Sequence, residues 1–448
     1  MILSLRGLLT IVVLLACHAD EAHSQQPTVV LFNNVRVFDG KSPSLSEPAN
    51  VLIRENLIEE ISTTPITVDR SASTRIIDGD GRTLMPGLID VHWHAMFARP
   101  TPATMLTSDV GYTTLLAGAE ATATLMRGFT TVRDMGGPSF ALKRAIDEGI
   151  LPGPRIYPSG AMITVTSGHG DFRQLTELPR AIGGAPSRIE QLGASAIADS
   201  PDEVRVRVRE QLMHGASQIK LTAGGGVASP FSPLEVSTFT QPELQAAVEA
   251  AENWGTYVCT HAYTVVSIQR SIAAGVKCIE HGHLMDEATA KLMVEKGIWL
   301  STQPFIDLGG AAVLAPQQQA RMRQVIAGTD KVYALAKKYG IKTAFGTDVL
   351  FSKELAERQG HALADLTRWY SPAEALIMAT STNGELLALS GLRNPYPGKL
   401  GVVEKGALAD LLLVDGDPLK DIGLVKEPDR RFLVIMKDGM IYKETLPN

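Results

Sequence analysis

The sequence predicts an α/β fold: a (β/α)8 barrel with a small β-sandwich formed by both chain ends. Three observations predict it. Between about residues 86 and 390, short β-rich runs alternate with helical patterns. Residues 28–85 and 397–448 instead carry short alternating apolar and polar runs between turn dipeptides. The chain has 448 residues, 45% apolar and 20% charged, which suits large packed cores and excludes a disordered or collagen-like chain. The net charge of −6, without a long basic run, argues against nucleic acid as a partner, because phosphate binding needs a concentrated cationic face.

Residues 1–24 read as a signal peptide, implying export to the periplasm or beyond. Arg6 precedes an apolar run of about ten residues, too short for a mature membrane span. Ala22-His23-Ser24 offers a small-x-small cleavage site. Leu14-Leu15-Ala16-Cys17 offers a second exit, in which Cys17 would carry a lipid anchor. The only other cysteines, Cys259 and Cys278, sit in apolar runs and read as buried thiols; no C-x-x-C pair exists.

Residues 25–85 form the N-terminal part of the β-domain, with turns at Asp39-Gly40 and Asp80-Gly81. The barrel spans 86–395. Its strand-like runs are GLIDVHWH, TTVRDM, RIYPSG, QIKLTA, YVCTHA, CIEHG, WLSTQ and KTAFGTD. Helical patterns lie between them, as at Pro242–Trp254 and Asp330–Tyr339. Residues 166–200 and 302–328 read as long loops over one mouth of the barrel. Residues 396–448 return to β style, with turns at Asp415-Gly416 and Lys437-Asp438-Gly439.

The chemistry-bearing residues gather at the ends of these runs. His92 and His94 form an H-x-H whose period-two spacing puts both imidazoles on one strand face. Lys220 lies in QIKLTA, His261 ends YVCTHA, His281 closes CIEHG and Asp348 ends KTAFGTD. All six fall at the C-terminal ends of barrel strands, where barrel enzymes keep their active sites. A single such histidine is more often a hydrogen-bonded core residue, but the ordered set points to a metal site. His169 sits in a Gly-flanked loop, SGHGDF, and Tyr263 follows His261 by two residues; both face the same mouth. His283 reads as peripheral or solvent-exposed, and His214 and His361 as surface residues. Gly224-Gly225-Gly226 reads as a flexible turn, and Arg133 as a partner for its neighbour Asp134 or for a helix end.

PGLIDVHWH, TTVRDMGG, IEHG, GTD and GALADLLLVDGDP together resemble the amidohydrolase superfamily of metal-dependent hydrolases over nearly the whole mature chain. The pattern is most similar to the branch related to imidazolonepropionase that holds Xaa-Pro dipeptidases, carboxypeptidases and ochratoxin-type amidases. The resemblance implies a TIM-type barrel and two divalent metal ions, with zinc the expected choice for imidazole and oxygen ligands. It implies His92, His94 and Asp348 on one metal, His261 and His281 on the other, and a carboxylated Lys220 bridging them. Apolar neighbours Ile219 and Leu221 make a free buried ammonium costly, which favours N6-carboxylysine at Lys220.

In that scheme a metal-activated hydroxide attacks the amide, and Asp348 carries its proton to the departing nitrogen. His169 would contact the substrate carbonyl or carboxylate, and Tyr263 would either bind substrate or cap the barrel. The expected reaction releases a C-terminal amino acid from a dipeptide such as Xaa-Pro, an N-acyl amino acid or an ochratoxin A-like amide. A deaminase or cyclic-amide hydrolase with the same metals is the alternative reaction. A non-catalytic scaffold is the alternative of another class, and it conflicts with the complete set of ligand positions. The resemblance also implies a homo-oligomer.

Overall fold

Short runs rich in Val, Ile and Leu, bounded by turn residues, set the first strands. The computed structural model describes residues 27–179, 184–309 and 314–446. The expected signal peptide and the lipid-anchor residue Cys17 lie outside the described residues. β1 (Val29–Val37), β2 (Pro48–Arg54) and β3 (Leu57–Ser62) pair antiparallel, while β4 (Thr74–Asp78) and β5 (Thr83–Pro86) run parallel to β1. Asp80 and Gly81, at φ 51° and 71°, make the turn that the dipeptide predicts, and β5 resumes along β1 in the direction of β4.

The middle of the chain is built of parallel strands. β6 (Leu88–Trp93), β7 (Phe129–Asp134) and β8 (Arg155–Pro158) form one sheet. β9 (Met162–Thr164), β10 (Ser195–Ile197), β11 (Ile219–Leu221), β12 (Val258–Thr264), β13 (Cys278–Leu284), β14 (Trp299–Thr302) and β15 (Thr343–Phe345) form another. Its order is β10-β9-β11-β12-β13-β14-β15. Nearly every residue of these strands is buried, as parallel strands covered on both faces require. Helices occupy the crossovers and start where the sequence caps them. Helix Pro201–His214 opens on Ser200, whose side chain accepts from Glu203 N, and closes on left-handed Gly215.

The ladders do not join into one continuous ring, and side chains occupy both gaps. Between β6 and β15, Asp90 accepts from Thr347 N (3.1 Å) and Thr347 Oγ1 (2.6 Å), and Asp348 N donates to His92 O (2.7 Å). Between β8 and β9 the chain bends at Gly160 (φ 74°), and the Gln218 amide donates to Asp134 O and Tyr157 O instead. The α/β class and the parallel order are thus as expected.

The connections 166–200 and 302–328 differ from simple loops. The first holds helix Arg188–Gln191 and β10. The second already contains the start of a long helix, Pro316–Tyr339. Its Gln- and Arg-rich first turns are good helix formers without apolar contrast, so periodicity alone does not reveal them.

β16 (Leu411–Val414), β17 (Phe432–Lys437) and β18 (Met440–Glu444) return to the first sheet, with β16 antiparallel to β5. The two chain ends therefore share one eight-stranded sheet. It curls so that β3 meets residues 406–409, with Ile58 N donating to Ala407 O and Gly406 N to Ile58 O. Val30, Phe32, Leu84, Leu411 and Val434 fill its interior.

One buried ion pair ties this sheet to the parallel strands. Arg155 Nε lies 2.9 Å from Asp410 Oδ2, and its Nη2 also reaches Asp438 Oδ1 at 2.7 Å. Removing one partner strands a buried charge. Asp410→Ala is expected to destabilise the chain by about 3 kcal/mol in urea unfolding, the low end of the range for a broken buried pair because Asp438 remains. An unchanged midpoint would show that the two parts are held by packing alone.

Candidate metal centre

The C-terminal ends of the parallel strands bring the expected residues to one cavity of about 560 Å³. His92, His94, His169, Lys220, Tyr263, His261, His281 and Asp348 all line it. The tightest group is His92, His94 and Asp348, whose ligand atoms lie within 4.8 Å of one another. Asp348 Oδ1 is 3.2 Å from His92 Nε2 and 3.3 Å from His94 Nε2. Burial alone would raise the Asp348 carboxyl, but His92 and His94 hold it well below the usual carboxylate range. Gly346 makes this approach possible, since a Cβ there would sit 2.5 Å from His92 Cβ.

His261 and His281 stand beside the triad, with ring centroids 4.4 Å apart. His281 is 5.0 Å from His92 between centroids, and its Nδ1 is 3.9 Å from Asp348 Oδ2. Lys220 is 2% exposed and has no ion pair among the described residues. His281 and Asp348 both carry positive φ, 77° and 55°, a cost that tends to gather at functional sites.

The outer nitrogens of the four histidines test whether the set suits a metal. A ligating histidine normally gives its other ring N–H to a protein acceptor, which fixes the tautomer. His94 Nδ1 lies 3.2 Å from Gly136 O, and His261 Nε2 lies 3.0 Å from Gly225 O. His281 Nδ1 lies 2.7 Å from Gln303 Oε1, and His92 Nδ1 lies 2.8 Å from Glu280 Oε2. Each imidazole therefore has one nitrogen engaged and one left for the cavity. The donor set, imidazole nitrogen with a carboxylate, fits a divalent ion of the zinc type.

His169 lies over this group, its ring stacked on His261 at 4.2 Å. Its Nδ1 is buried without a hydrogen-bond partner, and burial pushes the imidazole down to about 4. Gly226 is part of that placement, because a Cβ there would meet His169 Nδ1 at 2.1 Å. The three-glycine run is thus a close-packed shelf under His169 rather than a merely flexible turn. Tyr263, 3% exposed, stacks on His281 at 4.7 Å.

Other residues differ from expectation. His283 is on β13 and fully buried, its Nε2 3.0 Å from Gln303 O, so it is not solvent-exposed. His361 lines the outer part of the cavity, whereas His214 is on the surface as expected. Arg133 does not pair with Asp134. Adjacent strand residues point to opposite faces. Arg133 instead reaches Glu280 at 2.8 Å, and Asp134 accepts from Ser139 Oγ and Ala95 N. Burial raises the Asp134 carboxyl to about 7 despite those bonds. Asp90 is a further site residue that the pattern did not single out. It accepts from His92 N (3.0 Å) and is anchored by Gln359 Nε2 (2.9 Å).

The rest of the cavity wall is largely apolar: Phe97, Met105, Phe172, Ile189, Phe305 and Phe351. The two long connections supply three of these, Phe172 and Ile189 from the first and Phe305 from the second.

Comparison with known proteins agrees with this geometry. The model of the "Amidohydrolase family" matches residues 83–442. An ochratoxinase of Aspergillus niger is 32% identical over 372 residues, covering 80% of this chain and 75% of that protein. A prolidase structure complexed with N-methylphosphonate-L-proline superposes with a TM-score of 0.84 at 33% identity, covering 93% of this chain and 100% of the other. A Xaa-Pro dipeptidase structure with bound methionine in the active site gives 0.79 at 29% identity, with coverage of 93% and 100%.

Proposed function

The chain belongs to the amidohydrolase family, and from that premise we propose that it is an exported binuclear metal-dependent amidase releasing a C-terminal amino acid. The observation that carries the proposal is the convergence of His92, His94 and Asp348 in a largely apolar cavity that His169 also lines. His92, His94 and Asp348 would hold one ion and His261 and His281 a second, with N6-carboxylated Lys220 between them. Ions held there, zinc by donor type, would acidify an attacking water and polarise the scissile carbonyl.

This chain's own groups do the rest. Asp348 takes the water proton on a carboxylate oxygen and delivers it to the departing amide nitrogen. The His169 imidazole and the Tyr263 hydroxyl bind the carbonyl or carboxylate of the substrate. The phenyl and thioether side chains of the wall exclude water and hold an apolar acyl group. An imidazole kept neutral by burial can donate one hydrogen bond without adding a charge beside the ions.

The same reading treats the two parallel sheets as staves of one (β/α)8 barrel, residues 86–395, with residues 25–85 and 396–448 as a separate β-domain. Residues 1–24 are the export signal, with Cys17 as the lipid acceptor if cleavage falls there. The substrates fall among Xaa-Pro dipeptides, N-acyl amino acids and ochratoxin A-like amides, because the relatives named ochratoxinase, prolidase and Xaa-Pro dipeptidase share the fold and a third of the sequence or slightly less.

The test is a hydrolysis panel with metal counted on the same sample. Dipeptides, N-acyl amino acids and ochratoxin A are incubated with the full chain, and amino-acid release is followed by mass spectrometry. Two ions per chain with release of a C-terminal amino acid is the expected result. Two ions with ammonia or ring opening instead would replace amide cleavage with deamination or cyclic-amide hydrolysis.

A further inference from the structure

We propose that Arg133 and Glu280 are positioning residues for His92, a buried charged strut that decides which imidazole nitrogen faces the metal and how tightly the centre binds. The inference rests on the metal-centre reading above.

The outer partners of the four histidines are not alike. His94 and His261 face backbone carbonyls, and His281 faces a neutral amide oxygen. His92 alone faces a carboxylate, Glu280 Oε2 at 2.8 Å. That oxygen is buried and makes no aligned hydrogen bond among the described residues, so its contact with His92 is an ionic approach at 2.8 Å. The other oxygen, Oε1, is taken by Arg133 Nη2 at 2.8 Å and approached by Cys278 Sγ at 3.2 Å. Oε2 is thereby left for the imidazole.

Arg133 is itself held on two further sides. Its Nε donates to Val91 O at 2.6 Å and its Nη1 to the Tyr257 hydroxyl at 3.0 Å. The guanidinium therefore fixes both the backbone just before His92 and the carboxylate beside the His92 ring. A planar fork suits that double task, and a lysine would not reproduce it.

Stability alone is a poor reason for this arrangement. Arg133 and Glu280 are both fully buried. Replacing such a pair by apolar residues of similar size is often neutral or stabilising, because desolvation offsets the attraction. What the pair does supply is a choice between two tautomers. Gln303 Nε2 lies 3.4 Å from His92 Nδ1 and, as a donor, favours the form with the proton on Nε2. That proton would point at Asp348 Oδ1, 3.2 Å away, and block the nitrogen needed for a metal. Glu280 is nearer and charged, so it draws the proton to Nδ1 and frees the Nε2 lone pair. Arg133 lies in TTVRDMGG and Glu280 in IEHG, so the two ends of the strut come from different strands.

The test measures Zn²⁺ affinity of the full chain in competition with a chromophoric chelator, together with the melting temperature of the metal-free form. Glu280→Gln is expected to weaken Zn²⁺ binding about 10–100-fold, the usual effect of losing an outer partner of a ligating histidine. This variant also leaves Arg133 uncompensated, so its folding is a separate matter. The double variant Arg133→Met/Glu280→Gln removes that charge. It should recover melting temperature while Zn²⁺ binding stays weak, a split that a purely structural pair would not produce. Wild-type affinity in either variant overturns the proposal. If neither folds, Glu280→Asp decides, because it keeps the charge and withdraws it by one methylene. Weaker binding with an unchanged metal-free melting temperature supports the strut, and unchanged binding overturns it. A wild-type chain that binds no Zn²⁺, Co²⁺ or Mn²⁺ overturns the metal-centre reading and the strut together. A wild type that binds while the variants match it overturns only the strut.

Discussion

Asp348→Asn should lower kcat for the best amide substrate by about 10³-fold or more while leaving the fold intact. The two halves of that expectation have different physical sources. The fold survives because Asn is among the few residues that tolerate the left-handed backbone, and Asp348 sits at φ 55°. Its backbone N–H, which donates to His92 O at 2.7 Å, is unaffected. Activity falls because the amide oxygen of Asn can still approach His92 and His94 but cannot accept and return a proton. Removing a general base costs about 10²–10⁴-fold. At about 1.36 kcal/mol per tenfold, a 10³-fold loss is about 4 kcal/mol of barrier. Weaker metal binding adds to the loss, because a neutral amide replaces an anion between two imidazoles. Asp348→Ala would be a poorer test, since it combines the same loss with backbone strain and an empty site. The measurement is kcat with metal content and melting temperature on one sample. A variant that keeps its metal and its full turnover would place the proton transfer on another group, with His169 the first to examine.

The polar residues that line the cavity were legible because strands carry a strict code. Period two places His92 and His94 on one face, and a run that ends in a polar ligand residue marks the catalytic edge of a parallel sheet. Lys220, His261, His281 and Asp348 follow the same rule and line the same cavity. What supports them was not legible. Glu280, Arg133, Gln303 and Asp90 act across gaps in sequence of up to a few hundred residues, and no local period links them. Arg133 shows the error most plainly: proximity in sequence suggested Asp134, but neighbours on a strand face opposite ways. His283 was read as peripheral or solvent-exposed because it was expected to lie in a loop after the strand, whereas β13 continues to Leu284. Gly226 shows the converse case. Its conformational freedom was visible, but its purpose, a close approach to His169, depends on a loop more than fifty residues earlier.

Lys220→Ala should lose metal and activity together, and bicarbonate should speed reconstitution of the wild-type apoprotein but not of the variant. The reasoning starts from charge. Lys220 is 2% exposed, lies between buried Ile219 and Leu221, and pairs with no carboxylate among the described residues. A buried ammonium without a counter-ion is costly, and beside a divalent cation it is repulsive as well. Carboxylation resolves both. The ammonium would first give up a proton; the neutral amine would then add to carbon dioxide, forming the C–N bond and releasing a second proton, so that a cation becomes an anion with two oxygens. So modified, the residue would attract the ions that its ammonium would repel. On the proposed binuclear reading, removing it would leave a hole in the donor set between His92/His94 and His261/His281. The loss of several kcal/mol of charge stabilisation corresponds to a fall in turnover of about 10³-fold or more. A small carboxylate such as acetate or propionate should restore part of the activity of Lys220→Ala by filling that hole, and formate less well because it is shorter. An ammonium role predicts the opposite pattern: small amines would rescue, carboxylates would not, and bicarbonate would be without effect. Full activity with metal retained in Lys220→Ala would remove the bridge from the mechanism and leave His92, His94 and Asp348 as a centre for a single ion.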